Sequence, residues 1–137
     1  MNRMILNKVR YYYRSKKFNC ATTSLLILSE KYKINLSEQV IDSSVGMNGA
    51  GTYGAQCGLV EGALMFLGII GKAKDISDID IKCICKEFAN AFENQFSSLQ
   101  CSKLRPEGFS EDNPPHICEH LTCKAIEFNI DFLNNIY

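Results

Sequence analysis

Seven cysteines in 137 residues are the side chains with the most chemistry to offer. Cys57 stands where a glycine-rich loop, GMNGAGTYGAQ, turns into an apolar run, GLVEGALMFLGIIG. A helix start presents unpaired N–H groups and the positive end of the helix dipole. A thiol held there can have its pKa drawn below the free value of about 8.5, and the thiolate is the reactive and metal-binding form. The other reading of Cys57 is a small buried hydrophobe, since free cysteine is among the most buried residue types.

Two more cysteines fall at expected helix starts. Asn19 is a good N-cap, with Cys20 at the first helical position after it. Cys118 opens the last helix a few residues after Pro114 and Pro115. Cys101 lies in a loop just beyond a helix end. If these segments converge at one end of a bundle, Cys20, Cys57, Cys101 and Cys118 form a thiolate cluster. Such a cluster suits an iron–sulfur centre, another thiophilic metal, or disulfide exchange or sulfur carriage with Cys57 as nucleophile and Cys20 as its partner. With buried, inert cysteines the chain would instead be a helical binding or assembly module.

The remaining cysteines have plainer readings. Cys85 falls on the apolar stripe of its helix and is expected in the core. Cys83, two residues away, points to another face, so the two cannot chelate one ion from a regular helix. Within PPHICEHLTC, the residues His116, His120 and Cys123 are a secondary candidate ligand set. Their spacing matches no standard zinc finger, which needs two separated ligand pairs. Glu61, one turn after Cys57, is either a base for the thiol or a partner for a lysine. A salt bridge, or a supporting role beside the thiol, is favoured over the base, because its charge would oppose the dipole.

The elements that would carry these residues are all helical. Periodic apolar positions predict helices over residues 3–17, 20–32, 55–70, 77–96 and 118–134, with a short one at 37–44. Cys57 would then lie in the first turn of its helix. Gly54, Gly58 and Gly62 recur every fourth residue and would form one small face for close packing, within the fold or between two copies in a homodimer. No segment alternates with period two. The fold class expected is an all-α single domain, a compact bundle of about five helices.

Composition bounds the function. Apolar residues make up 46% of the chain, enough for a real core. Fifteen basic and fifteen acidic side chains cancel. No basic tract favours nucleic acid, and no apolar run is long enough to span a bilayer. The opening residues lack the apolar core of a secretory signal, so a cytoplasmic setting is expected. An odd cysteine count there points to thiol, metal or redox chemistry rather than a disulfide framework. No P-loop or CxxCH motif is present, and neither nucleotide nor haem is expected.

The element Cys57-Gly58-Leu59-Val60-Glu61-Gly62 resembles the CGAxxG motif of the C_GCAxxG_C_C family of redox-active proteins, with Leu59 standing where that motif has alanine. Asn19-Cys20-Ala21 is similar to the family's first cysteine region. Phe92-x3-Phe96-x4-Cys101-x2-Leu104 and Cys118-x2-Leu121-x3-Ala125 are similar to its third and fourth. The resemblance spans nearly the whole chain. It implies a redox role with Cys20, Cys57, Cys101 and Cys118 as the site, and a redox partner it does not name. A likeness of this region to the cysteine-rich part of split-Soret cytochromes makes a 2Fe–2S cluster the concrete cofactor expectation.

Overall fold

The computed structural model describes residues 2–105 and 118–137. These residues form helices α1 (Arg3–Arg10), α2 (Cys20–Tyr32), α3 (Glu38–Ser43), α4 (Gly49–Thr52), α5 (Gly58–Ala73), α6 (Asp78–Phe96), α7 (Cys101–Leu104) and α8 (Glu119–Ile136). Among the described residues there is no strand, only one isolated antiparallel bridge between Gln56 and Gln100. The protein is all-α, and among the described residues α1, α2, α5, α6 and α8 are the five long helices. None of the described helices is long and apolar enough to cross a membrane.

Helix starts follow local chemistry. The side chains of Asn2, Asn19, Ser37 and Ser77 each accept a backbone N–H from the turn they open. Lys33 and Ser97 end α2 and α6 in the left-handed conformation.

Helix α5 is the centre of the molecule, and α2 crosses it at very short range. A β-carbon on Gly62 would stand 2.6 Å from the Ala21 carbonyl oxygen. The glycine face thus packs two helices of one chain together. It consists of Gly58 and Gly62 only; Gly54 lies before the helix with φ +99°. Leu25 and Leu28 of α2 bury against Leu59, Ala63, Phe66 and Leu67 of α5. Each such large side chain contributes roughly 1.5–3 kcal/mol on burial.

Helices α6 and α8 close the other side through Phe88, Phe92, Phe96, Phe128 and Phe132, whose ring centroids lie 4.5–5.9 Å apart. Helix α1 adds a second cluster, Ile5, Val9 and Tyr13 against Ile27, Cys123 and Ile126.

Several expectations differ; Cys101, expected in a loop, is the first residue of α7. The helix expected over 3–17 is α1 followed by a wider π-helical turn, Tyr11–Ser15. The helix expected from residue 55 begins at Gly58, so Cys57 is its N-cap and not part of its first turn. The glycine loop contains a left-handed turn, α4, in which Ala50 (φ 57°), Gly51 (φ 64°) and Thr52 (φ 68°) all have positive φ. Alternating glycines make such a turn accessible. Ala50 and Thr52 have side chains that disfavour it, by roughly 1–2 kcal/mol each. Backbone bonds from Gly51 N–H to the Gly46 carbonyl (3.0 Å) and from Thr52 N–H to the Asn48 carbonyl (3.0 Å) hold it.

Candidate functional site

Cys20, Cys57, Cys101 and Cys118 lie where the starts of α2, α5, α7 and α8 meet. Cys20 is the first residue of α2. Asn19 does two jobs there: its oxygen accepts the Thr22 N–H at 2.9 Å, and its amide donates to the Val45 carbonyl at 2.7 Å. A hydroxyl pair, Thr22 with Ser44 at 2.6 Å, repeats the tie. The entry of the glycine loop is thereby fastened to the start of α2.

The exit of that loop is fastened to the stretch before α7. The Cys57 N–H donates to the Leu99 carbonyl at 2.8 Å, and the Cys101 N–H to the Ala55 carbonyl at 2.7 Å. This antiparallel pairing sets Cys57 and Cys101 diagonally on one face of a two-stranded ribbon. The left-handed turn rests on the same residue: a β-carbon on Gly49 would stand 3.0 Å from Cys101 Cβ and 3.3 Å from its Sγ.

Cys57 caps its own helix, its sulfur accepting the Leu59 N–H at 3.4 Å. Only 4% of the residue is exposed. The Cys20 thiol donates to the Cys57 sulfur, and this bond is the main cause that draws the Cys57 pKa down. Burial opposes it, while N–H groups of the first helical turn and the Arg105 charge assist. The same bond, with burial and the charges of Cys57, Cys101 and Cys118, holds Cys20 protonated well above the ordinary thiol range. The two sulfurs therefore have opposite tendencies: Cys57 ionises first and Cys20 keeps its proton.

Cys101 and Cys118 complete the group. Burial raises both thiols and the Cys57 charge raises them further, whereas Arg105 lowers both. The Arg105 guanidinium donates to the Cys118 sulfur. Cys118 is buried at the start of α8, and Cys101 is half-exposed at the start of α7.

The family model of the "Putative redox-active protein (C_GCAxxG_C_C)" matches residues 18–131. The chain belongs to this family. No curated protein and no solved structure matches it.

The other cysteines of this C_GCAxxG_C_C protein stand apart from the four. Cys83 is exposed on α6. Cys85, expected in the core, is half-buried at the edge of the main cluster, and burial raises its pKa. Cys123 is wholly buried against α1, and burial together with Glu127 and Glu119 raises its pKa to about 11. His120 is exposed, so it and Cys123 do not face one space. His116 lies outside the described residues. Glu61 makes no ion pair among the described residues; it accepts a hydrogen bond from Gln56, the residue before Cys57, and so stands in a supporting position next to the thiol.

Four thiols beside N–H groups and an arginine are the right donor chemistry for a thiophilic metal. Their spacing is less suited. Among the described residues, no three Cys, His, Asp or Glu side chains are grouped closely enough to hold one metal ion.

Sequence reasoning missed Arg105 and Tyr13. Arg105 begins a Pro- and Gly-containing stretch that reads as a loop, yet it follows Cys101 by four residues, one helical turn, and that spacing was the available signal. Tyr13 reads as one of three tyrosines on an amphipathic helix face. Its place four residues after Val9 and eight after Ile5 was the available signal that it points inward, 3% exposed.

Proposed function

We propose that this chain is a thiol–disulfide redox protein in which Cys57 is the attacking sulfur and Cys20 resolves the intermediate. The observation that carries the reading is the position of the Cys20 sulfur, which lies against Gly58, the residue after Cys57; the interaction of the two thiols lowers the pKa of Cys57 and raises that of Cys20. A nucleophile ready as thiolate and a neighbour that keeps its proton until needed is the division of labour such exchange requires.

The step balances as follows. The Cys57 thiolate, its proton already lost to solvent, attacks one sulfur of a partner disulfide. A Cys57 mixed disulfide forms and the other partner sulfur leaves as a thiolate, which takes up the Cys20 proton. The Cys20 thiolate then attacks Cys57 Sγ. The second partner thiolate leaves, and the Cys20–Cys57 disulfide remains. The partner disulfide gains two electrons and the protein dithiol loses two.

A second reading is supported by the mutual influence of all four sulfurs. Cys20 responds to charge on each of Cys57, Cys101 and Cys118. In this reading Cys20, Cys57, Cys101 and Cys118 would hold a 2Fe–2S cluster or another thiophilic metal, which would supply one-electron transfer or structural cross-linking. The sulfurs would have to draw closer than they stand.

Protein prepared without oxygen separates the two. The dithiol reading expects neither iron nor sulfide in stoichiometric amount, and a Cys57 that is alkylated faster than the other six thiols. Iron and acid-labile sulfide, with visible absorption that disappears in Cys57→Ser, would replace it with the cluster reading.

A further inference from the structure

The charge of the chain is divided unevenly. Residues 3–17 hold six of its fifteen basic side chains and no acidic one, so the rest carries nine basic against fifteen acidic. A chain that is neutral as a whole is therefore basic at one end and acidic over the remainder. The basic segment consists of α1, the π-helical turn and the two lysines that follow, and it precedes the residues the family model matches.

Part of this charge is used inside the fold. Lys8 pairs with Glu30 at 2.9 Å, and Arg10 and Arg14 both pair with Glu119, at 3.3 and 2.7 Å. Arg3, Lys16 and Lys17 are exposed and form no ion pair among the described residues. Lys16 extends over the half-exposed Tyr11 ring, 5.9 Å from its centroid.

The turn stands beside two of the four cysteines. Glu119 directly follows Cys118, so the Arg14 bridge ties the turn to the start of α8. Lys17 precedes Cys20 by three residues, a reach of at most about 11 Å. Asn19, next to Cys20, also donates to the Val45 carbonyl at 2.7 Å, and Val45 is 68% exposed. The start of α2 thus has unpaired cations and an exposed apolar side chain within reach of one interface, which typically combines apolar contact with a polar rim.

We propose that Lys16, Lys17 and Val45 belong to a docking surface for a protein whose disulfide is rimmed by Asp and Glu. The proposal rests on the dithiol reading above and supplies the chemistry of its partner. Complementary charge raises the local concentration of such a partner and orients it. A bilayer fits less well, because Ile5, Val9 and Tyr13 are buried, whereas a helix lying in a membrane interface turns its apolar face outward. A long nucleic acid would extend past the basic segment onto the acidic remainder.

The test uses the reduced full-length chain and three disulfides. Two are peptides closed by one cystine, one flanked by glutamates and the other by lysines. The third is 2,2′-dithiodipyridine, which is small and neutral. Mixed-disulfide formation at Cys57 is followed by acid quenching and mass spectrometry, and each peptide's rate is divided by that of the neutral disulfide on the same chain. At low salt the ratio for the glutamate peptide is expected to fall about tenfold in the double variant Lys16→Glu, Lys17→Glu, and the ratio for the lysine peptide to rise. In 1 M salt, where the Debye length is about 3 Å, the two chains should agree. The double variant Lys82→Glu, Lys86→Glu makes the same change of net charge on the exposed side of α6 and should keep the wild-type ratio. An unmoved ratio in the Lys16, Lys17 variant, or an equal fall in the α6 variant, overturns the docking surface and leaves the dithiol reading intact. With an unmoved ratio, binding to phosphatidylserine vesicles that the Lys16, Lys17 variant loses would assign the face to an anionic membrane instead. If 2,2′-dithiodipyridine forms no mixed disulfide at Cys57, the dithiol reading falls and the docking of a disulfide partner falls with it.

Discussion

Gly58 lies directly against Cys20: a β-carbon built on it would stand 2.2 Å from the Cys20 sulfur, 3.0 Å from the Ala21 nitrogen and 3.1 Å from the Met47 carbonyl oxygen. No side chain fits there without movement. The glycine after Cys57 is what lets the first residue of α2 reach the first turn of α5. Gly58→Ala should displace the Cys20 thiol from Cys57 and lower stability by about 1–3 kcal/mol, as overpacking generally does. Chemical denaturation reads the second effect and the alkylation rate of Cys57 the first. Wild-type behaviour in both would mean that the close approach has no role in setting the pair.

Two glycines of the same helix should respond in opposite senses. A β-carbon on Gly62 would meet the Ala21 carbonyl oxygen at 2.6 Å and its carbonyl carbon at 3.2 Å, all backbone, so the α2–α5 separation must widen. Gly68 has nothing within 4 Å of its position. Gly62→Ala should be destabilising, by about 1–3 kcal/mol or more. Gly68→Ala should be stabilising by roughly 0.5–1 kcal/mol through helix propensity alone. Thermal melts of the two variants side by side decide it. A stable Gly62→Ala would show that the two helices are free to separate.

The ionisation of Cys57 should depend on its neighbour. Donation from Cys20 is the largest cause lowering its pKa, and burial works against it. Removing the donor leaves burial less opposed, so the sign is upward. The alkylation rate of Cys57 against pH should have its midpoint below the free thiol value of about 8.5 in the wild-type chain, and higher in Cys20→Ala. Arg105→Gln should shift it the same way by less, since its charge is the weaker contributor. Iodoacetamide labelling at a series of pH values, read peptide by peptide, supplies the profiles. An unmoved midpoint in Cys20→Ala would remove the electrostatic coupling of the pair.

The long helices were legible because their signals are local. Asn19 and Ser77 cap where their types suggest, and Phe88 with Phe92 bury as their spacing requires. The start of α5 was misplaced because Cys57 caps it with a sulfur, and cysteine is not among the usual capping residues. The left-handed turn was illegible because Ala50 and Thr52 carry side chains that oppose it; long-range ties at Asn19 and Cys101 hold the loop at both ends. The expected approach of Cys57 and Cys101 depends on two backbone bonds between segments over forty residues apart, Cys57 to Leu99 and Cys101 to Ala55. No pattern within either segment encodes it. The contact of Arg105 with Cys118 has the same non-local origin.

Asn129 is the part of the core that runs against its surroundings. It sits on α8, 1% exposed, packed among Leu28, Ala63, Leu67, Phe88, Phe132 and Leu133, with no room beside it for a water molecule. Neither its amide nitrogen nor its oxygen has a hydrogen-bond partner among the described residues. A buried amide without partners costs about 1–3 kcal/mol, and an apolar group of similar shape avoids that cost. Leucine has the same branching as asparagine, so Asn129→Leu should raise stability by roughly that amount. Asn129→Ala should gain less, because it opens a void while removing the amide. Urea denaturation of the three chains orders them. If Asn129→Leu is less stable than the wild type, the amide is not an uncompensated cost in the core.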